Sequence, residues 1–133
     1  MSAVDEIVQH HRFIESWLRG EENPSDVSAF LDRHTPDFTW YDPDGSSADR
    51  TALADVMTKA HGSAPGLVLE IRAPRVLLDR DGLVVATYEE HQRTPGSSTA
   101  RRAVAIFVPE AGARNGLRWR HLHETWIHDA APA

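Results

Sequence analysis

Apolar spacing in this chain changes period once, between about residues 62 and 67, and that change limits the fold more than anything else in the sequence. On the N-terminal side the period is helical. Val4, Ile7, Val8, His11, Ile14 and Leu18 recur at three- and four-residue intervals, and Trp17 widens the stripe. Ser2 followed three residues later by Asp5 resembles a capping box, and Gly20 stands where a helix-ending glycine belongs. A second, shorter helix is predicted from Asn23, with Pro24 at its first position. It buries Val27, Phe30 and Leu31, and Thr35-Pro36 stops it. A third is predicted from about Asp49 to Ala60, with Leu53, Val56, Met57 and Ala60 on one face and Gly62 after it.

From Leu67 onward the texture is that of strands. One runs from about Leu67 to Leu78, where Pro74 implies an edge position or a bulge. Asp81-Gly82 is a hairpin signal, and a long strand follows from Leu83 to Arg93. After a loop over 94–98 come a strand from Thr99 to Val108, a loop from Pro109 to Gly116, and a last strand from Leu117 to Ile127. A short strand, Phe38 to Tyr41, lies between the second and third helices and is closed by the turn Asp42-Pro43-Asp44-Gly45. Helices first and meandering strands after predict an α+β arrangement, with helices packed on an antiparallel sheet. This order excludes a doubly wound fold, and no glycine pattern supports a dinucleotide or P-loop site. A chain of 133 residues suits one domain, read as residues 1–128 with a short disordered Ala/Pro tail over 129–133.

The chain has no cysteine, which excludes disulfides, thiolate nucleophiles, Cys-based zinc sites and iron–sulfur clusters. Its net charge of −6 is spread along the sequence and offers no basic face for phosphates. The local basic cluster of Arg101 and Arg102 with Arg93 and Arg118 reads as the solvated side of a sheet. No apolar run approaches the ~20 residues that span a bilayer, and the N-terminus lacks a signal peptide's basic start and apolar block. The expectation is a cytoplasmic protein, with neither nucleic acid nor membrane as partner.

Four stretches, in their order, resemble the nuclear-transport-factor-2-like (SnoaL-like) superfamily. They are the opening helix ending Trp17-Leu18-Arg19-Gly20, the segment Phe38 to Gly45, the strand Val85-Ala86-Thr87-Tyr88, and the closing strand Trp119 to Trp126. The resemblance covers nearly the whole chain. It implies a cystatin-like α+β roll: a cone-shaped, strongly curved antiparallel sheet wrapped around the first of three N-terminal helices. A pocket would open at the wide end, and dimers would form through the sheet. The superfamily includes polyketide cyclases, ketosteroid isomerases and non-catalytic association domains, so membership leaves activity open.

The run Asp42-Pro43-Asp44-Gly45 resembles the ketosteroid isomerase segment whose aspartate, just before the proline, is the general base. The same residues also make an ordinary β-turn. The isomerase's helix-one tyrosine has no counterpart here, Phe13 standing near its place, and the strand from Thr99 to Val108 carries no carboxylate. On the last strand, strict alternation puts Trp119, His121, His123 and Thr125 on one face. If that face is concave, His123 and His121 join Asp42 as candidate catalytic groups, with Asp42 and His123 an acid–base pair. If it is not, the histidines serve the sheet or a dimer interface. On the strand before, Glu89 and His91 share one face and Tyr88 and Glu90 the other, and the sequence leaves open which pair looks inward. The candidate ligand walls are Trp40, Tyr88, Glu90, Trp119, Phe13 and Trp17, an aromatic set that suits a small apolar molecule.

His121-x-His123 with His91 or Glu89 would make three metal ligands, but the fold works without metal, and no cofactor is expected. Leu122 and Trp126 lie opposite Trp119 and Ile127, so both faces of the last strand need cover, which predicts a homodimer. Two functions follow. One is a cofactor-independent lyase, isomerase or cyclase working by acid–base chemistry; the other is a dimeric ligand-binding or association module.

Overall fold

The computed structural model describes residues 2–128. The expected tail over 129–133 lies outside them. Helix α1 spans Ala3–Leu18 and begins where Ser2 Oγ accepts the Asp5 N–H at 3.2 Å. Asn23 caps a 3₁₀ turn at Pro24–Asp26, which leads into α2 at Val27–Leu31. Helix α3 spans Arg50–Ala60, capped by Asp49, whose Oδ1 accepts the Ala52 N–H at 2.8 Å. The C-terminal ends of α1 and α3 meet at two glycines: a Cβ on Gly20, which has φ +81, would sit 3.2 Å from Gly62 Cα.

The strands are β1 (His34–Tyr41), β2 (Ser47–Asp49), β3 (Val68–Arg80), β4 (Leu83–Thr94), β5 (Ser97–Pro109) and β6 (Leu117–Trp126). They form one curved, unclosed sheet in the order β2-β1-β6-β5-β4-β3. The sheet is mixed rather than wholly antiparallel, because β1 and β6 pair in parallel. The cause is the crossover: β2 and α3 carry the chain from β1 to the far edge, and the β3–β6 meander returns beside β1 in the same direction. Helix α2 stops at Leu31, earlier than Thr35-Pro36 suggested, and β1 begins at His34, where the Trp119 N–H donates to the Arg33 carbonyl at 2.8 Å. Pro36 therefore lies inside β1, and the β1–β6 register slips between His34 and Thr39. At the other edge Pro74 marks a bulge in β3, with Ala73 at φ +52.

Two tight turns fix the meander. Asp81 and Gly82, both at positive φ, join β3 to β4, and Pro95-Gly96 alone separates β4 from β5, a shorter link than the expected loop. The core lies between α1 and the concave face, around Ile7, Phe30, Phe38, Tyr88, Phe107 and Trp119. Trp119 is fully buried, and its Nε1–H donates to Glu6 Oε2 at 2.9 Å. Arg114 grips the same carboxylate through two bonds of 2.8 and 2.7 Å, so this buried charge is paired.

No described helix is long and apolar enough to cross a membrane.

Candidate functional site

A cavity of about 240 Å³ opens between the helices and the concave face. One wall is aliphatic, with Ile14 and Leu18 from α1 and Leu53, Val56 and Met57 from α3. The sheet contributes Trp40, Trp119 and Leu122, and α2 contributes Phe30. Polar groups gather where β4, β5 and β6 pass side by side: Glu90, Gln92, Arg101 and Glu124, with His11 across from them on α1. His10 and His34 line the cavity beside Phe30 and Trp119.

A single extra residue in β6 decides which side chains reach this space. Phe107 pairs with Trp119, but Ile106 pairs with His121, so Arg120 is bulged out of the ladder. Side-chain parity reverses there. Leu117 and Trp119 point inward before the bulge; Leu122 and Glu124 do so after it. His121, His123 and Thr125 are turned to the outer face.

On that outer face the Tyr41 ring lies between the two imidazoles, 4.8 Å from His121 and 5.4 Å from His123. His121 Nδ1 also shares a 2.6 Å hydrogen bond with the Thr39 hydroxyl. Asp42 is engaged in its own turn, where Oδ1 accepts the N–H groups of Asp44 and Ser46, each at 2.9 Å. The structure thus brings His121 and His123 together but puts neither, nor Asp42, on the cavity wall. Trp40, Glu90 and Trp119 do line it. Tyr88 is buried just behind, its hydroxyl 3.5 Å from His11 Nε2. Trp17 is a core residue whose Nε1–H donates to the Met57 carbonyl at 2.8 Å. Phe13 stacks on Trp17 and Phe30, with the Arg33 guanidinium over its ring. His91 pairs with Glu89 at 2.9 Å, and among the described residues no group of three His, Asp or Glu side chains is placed to hold a metal.

Arg101, read from sequence as solvated, faces the cavity. Its Nη1 donates to Glu124 Oε1 at 3.3 Å, and its guanidinium lies over the Trp126 ring. Its Nε is buried without a hydrogen-bond partner, 4.0 Å from Glu90 Oε2. Glu90 is otherwise fully used: Oε1 meets His11 Nε2 at 3.0 Å, and Oε2 accepts from Gln92. The other nitrogen of His11 donates to the Ile7 carbonyl at 2.7 Å, so both ring nitrogens act as donors and the imidazole carries a proton.

Burial opposes that charge on His11, but the Glu90 hydrogen bond and charge, with the Ile7 carbonyl, outweigh it and raise its pKa. Burial likewise works against ionised Glu90, yet His11, Arg101 and Gln92 bring its pKa below the ordinary value. Glu124 differs. Burial and the neighbouring Glu90 charge raise its pKa, against the pull of Arg101 and the 2.8 Å bond from Trp40 Nε1. Both of its hydrogen bonds fall on Oε1, leaving Oε2 for a ligand. Burial holds the Tyr88 phenol well above its normal pKa.

Glu124, Arg101, His11, His10 and His34 were not singled out by sequence as site residues. The register held the missing signal. With a two-residue turn at Pro95-Gly96, Thr94 faces Ser97, and counting outward places Glu90 opposite Arg101.

No family profile matches the chain. Among curated proteins, sucrose-phosphatase 2 of Nicotiana tabacum is 24% identical over 131 residues, 95% of this chain but 31% of that protein. The chain thus spans about a third of the length of the curated relatives it matches. Among solved structures, an NTF-2 like protein of unknown function from Pseudomonas aeruginosa is 28% identical. It superposes with a TM-score of 0.86 over 92% of this chain and 96% of that one. The CaMKII hub of S. rosetta, 14% identical, shares the fold with a TM-score of 0.71 over 96% and 98% of the two chains. The shared fold, the order of its elements and the near-complete superposition agree: the chain has the nuclear-transport-factor-2-like fold, and its structural neighbours are NTF2-like proteins, which matches the resemblance read from the sequence.

Proposed function

We propose that the chain is a small-molecule pocket protein that moves protons on an apolar carbonyl compound without a cofactor, as an isomerase, lyase or cyclase does. The observation that carries this reading is Glu124, a buried carboxylate of raised pKa beside an orphan guanidinium N–H in a mostly apolar cavity. A carboxylate of raised pKa is a better base, and a desolvated one is better still. In this scheme Glu124 Oε2 takes a proton from the carbon next to a carbonyl. The electron pair moves onto the carbonyl oxygen, which accepts a hydrogen bond from Arg101 Nε–H. Glu124 then returns the proton at the same or a conjugated carbon. Protonated His11 adds positive charge nearby, and Glu90 holds it there. Trp40 keeps the Glu124 carboxyl oriented.

The test requires no knowledge of the natural substrate. Acetophenone incubated with the protein in D₂O is followed by proton NMR for exchange at its methyl group. Exchange above the buffer rate, reduced ~10²-fold or more in Glu124→Gln, is the expected result. Exchange that Glu124→Gln leaves unchanged would remove Glu124 from the chemistry.

A second reading, a dimeric association module, is favoured by the outer sheet face. Tyr41 is 45% exposed and Val104 39% exposed there, in one cross-strand row with His123. The two readings use opposite faces of the sheet and are compatible.

A further inference from the structure

The cavity has a second polar end that the proton-transfer scheme does not use. His10 and His34 are 3% and 2% exposed, with ring centroids 5.1 Å apart. The His34 Nδ1–H donates to the Phe30 carbonyl at 3.0 Å, which fixes the tautomer and makes its Nε2 an acceptor. His10 has a buried Nδ1 with no hydrogen-bond partner, although it lines the cavity. Unsatisfied buried polar atoms are uncommon and costly, so an orphan on a cavity wall points to a missing partner. The surroundings are apolar rings: Phe30 stacks on His10 at 5.0 Å, and Phe38 packs edge-on against His34 at 4.6 Å.

Burial first, and then the positive charge of nearby arginines, keep both rings neutral, and His34 and His11 add to the effect on His10. His10 lies well below the usual histidine pKa, and His34 falls to about 3. His34, neutral and with its one N–H already donating, offers only a lone pair. It accepts a hydrogen bond from a hydroxyl and gives nothing to a carboxylate or phosphate.

The two polar ends meet at α1, where the His10 ring lies 5.9 Å from His11, the partner of Glu90. On the sheet they are set by His34, which pairs with Trp119, and by Glu124 five residues farther along β6. A ligand using both ends crosses the apolar rings of Phe30 and Trp119 beside His10 and His34.

We infer that the His10–His34 end is a hydroxyl-accepting subsite, so that the ligand is a neutral hydroxy-carbonyl compound: carbonyl toward Arg101 and Glu124, hydroxyl toward His34 and His10, apolar ring or chain between. The carbonyl half of this assignment rests on the proton-transfer reading; the hydroxyl half stands on the two histidines.

The experiment uses three acetophenones that differ only at the far end of the ring. Binding of 4-(hydroxymethyl)acetophenone, 4-ethylacetophenone and 4-acetylbenzoate is measured by titration calorimetry, with methyl-group exchange in D₂O followed in parallel. The hydroxymethyl compound should bind about tenfold more tightly than its ethyl isostere, the scale of one well-made hydrogen bond, and the carboxylate should bind most weakly. In His34→Phe the hydroxymethyl preference should collapse while the ethyl compound binds as before. Should that variant fail to fold, the three ligands on the parent protein still decide. Equal binding of the hydroxymethyl and ethyl compounds, or tightest binding of the carboxylate, would overturn the subsite. Glu124-dependent exchange without hydroxyl preference sinks this inference alone; hydroxyl preference without exchange upholds the subsite and sinks the proton-transfer reading.

Discussion

Glu90 and Arg101 stand directly opposite each other on β4 and β5, yet the guanidinium Nε stops 4.0 Å from the carboxylate. His11 and Gln92 already occupy the two Glu90 oxygens, so Arg101 turns its Nη1 to Glu124 and keeps one donor in hand. The cluster is thus one carboxylate with every oxygen engaged and one with an oxygen to spare. That division gives the two glutamates different protonation behaviour within one cavity.

The His11–Glu90 pair should respond sharply to loss of one partner. Burial alone lowers a histidine pKa, and Glu90 is what reverses that on His11. In Glu90→Gln the His11 pKa should fall below the ordinary ~6.5. NMR titration of the His11 ring reads this directly. A titration midpoint that stays above 6.5 in the variant would mean another group supplies the stabilising charge.

Acid stability depends on His34. Its folded pKa of about 3 lies below its unfolded value, so the unfolded chain binds a proton that the native state refuses. Its stabilising contribution is present above pH ~6.5 and is lost as pH falls toward the folded pKa, at up to ~1.4 kcal/mol per pH unit. Denaturant unfolding between pH 7 and 4 should show this slope in the parent. In His34→Phe the slope should be shallower by about that amount, whatever the variant's absolute stability. Identical slopes would assign the acid sensitivity to other groups.

Gly20 should tolerate no side chain. Its positive φ strains an L-residue by ~1–2 kcal/mol, and a Cβ would meet Gly62 Cα at 3.2 Å, where only backbone can give way. Gly20→Ala is expected to lower unfolding free energy by about 2 kcal/mol. A loss below ~0.5 kcal/mol would show that the α1 and α3 termini separate easily.

The outer face should hold a second copy of the chain. Light scattering is expected to give twice the 14.8 kDa of one chain at micromolar concentration. Tyr41→Asp, which sets a charge at the centre of the exposed row, should return it to a monomer with the helical signal intact. A parent protein that is already monomeric would remove the association reading.

The helices and most strands were legible because their signals are local: α1 from its apolar stripe, its Ser2 cap and Gly20, and β3 from Pro74 and the Asp81-Gly82 turn. The parallel β1–β6 contact was not, since a crossover joins strands far apart in sequence. The cavity residues were hidden by two specific irregularities. The bulge at Arg120 leaves no mark in the sequence, and it exchanges Glu124 for His123 on the concave face. Treating 94–98 as an open loop concealed the Glu90–Arg101 register, which the two-residue turn fixes. Trp119 was reachable because it precedes the bulge on β6, and Glu90 because the β4–β5 pairing is unbroken, whereas Trp40 follows the β1 slip and was named for its aromatic ring alone.

The bulge at Ala73-Pro74 has a consequence beyond the shape of β3. This strand ends the sheet, and an end strand with free N–H and C=O groups is a template on which another chain can polymerise. The risk is concentrated just after the bulge, where Val76 and Leu77 are both exposed in a short apolar run. Pro74 offers no N–H, and Ala73 at positive φ kinks the backbone beside it, so an incoming strand finds its register interrupted before it reaches that run. Replacing Pro74 with a β-branched residue would repair the template, and with it open a route to fibres.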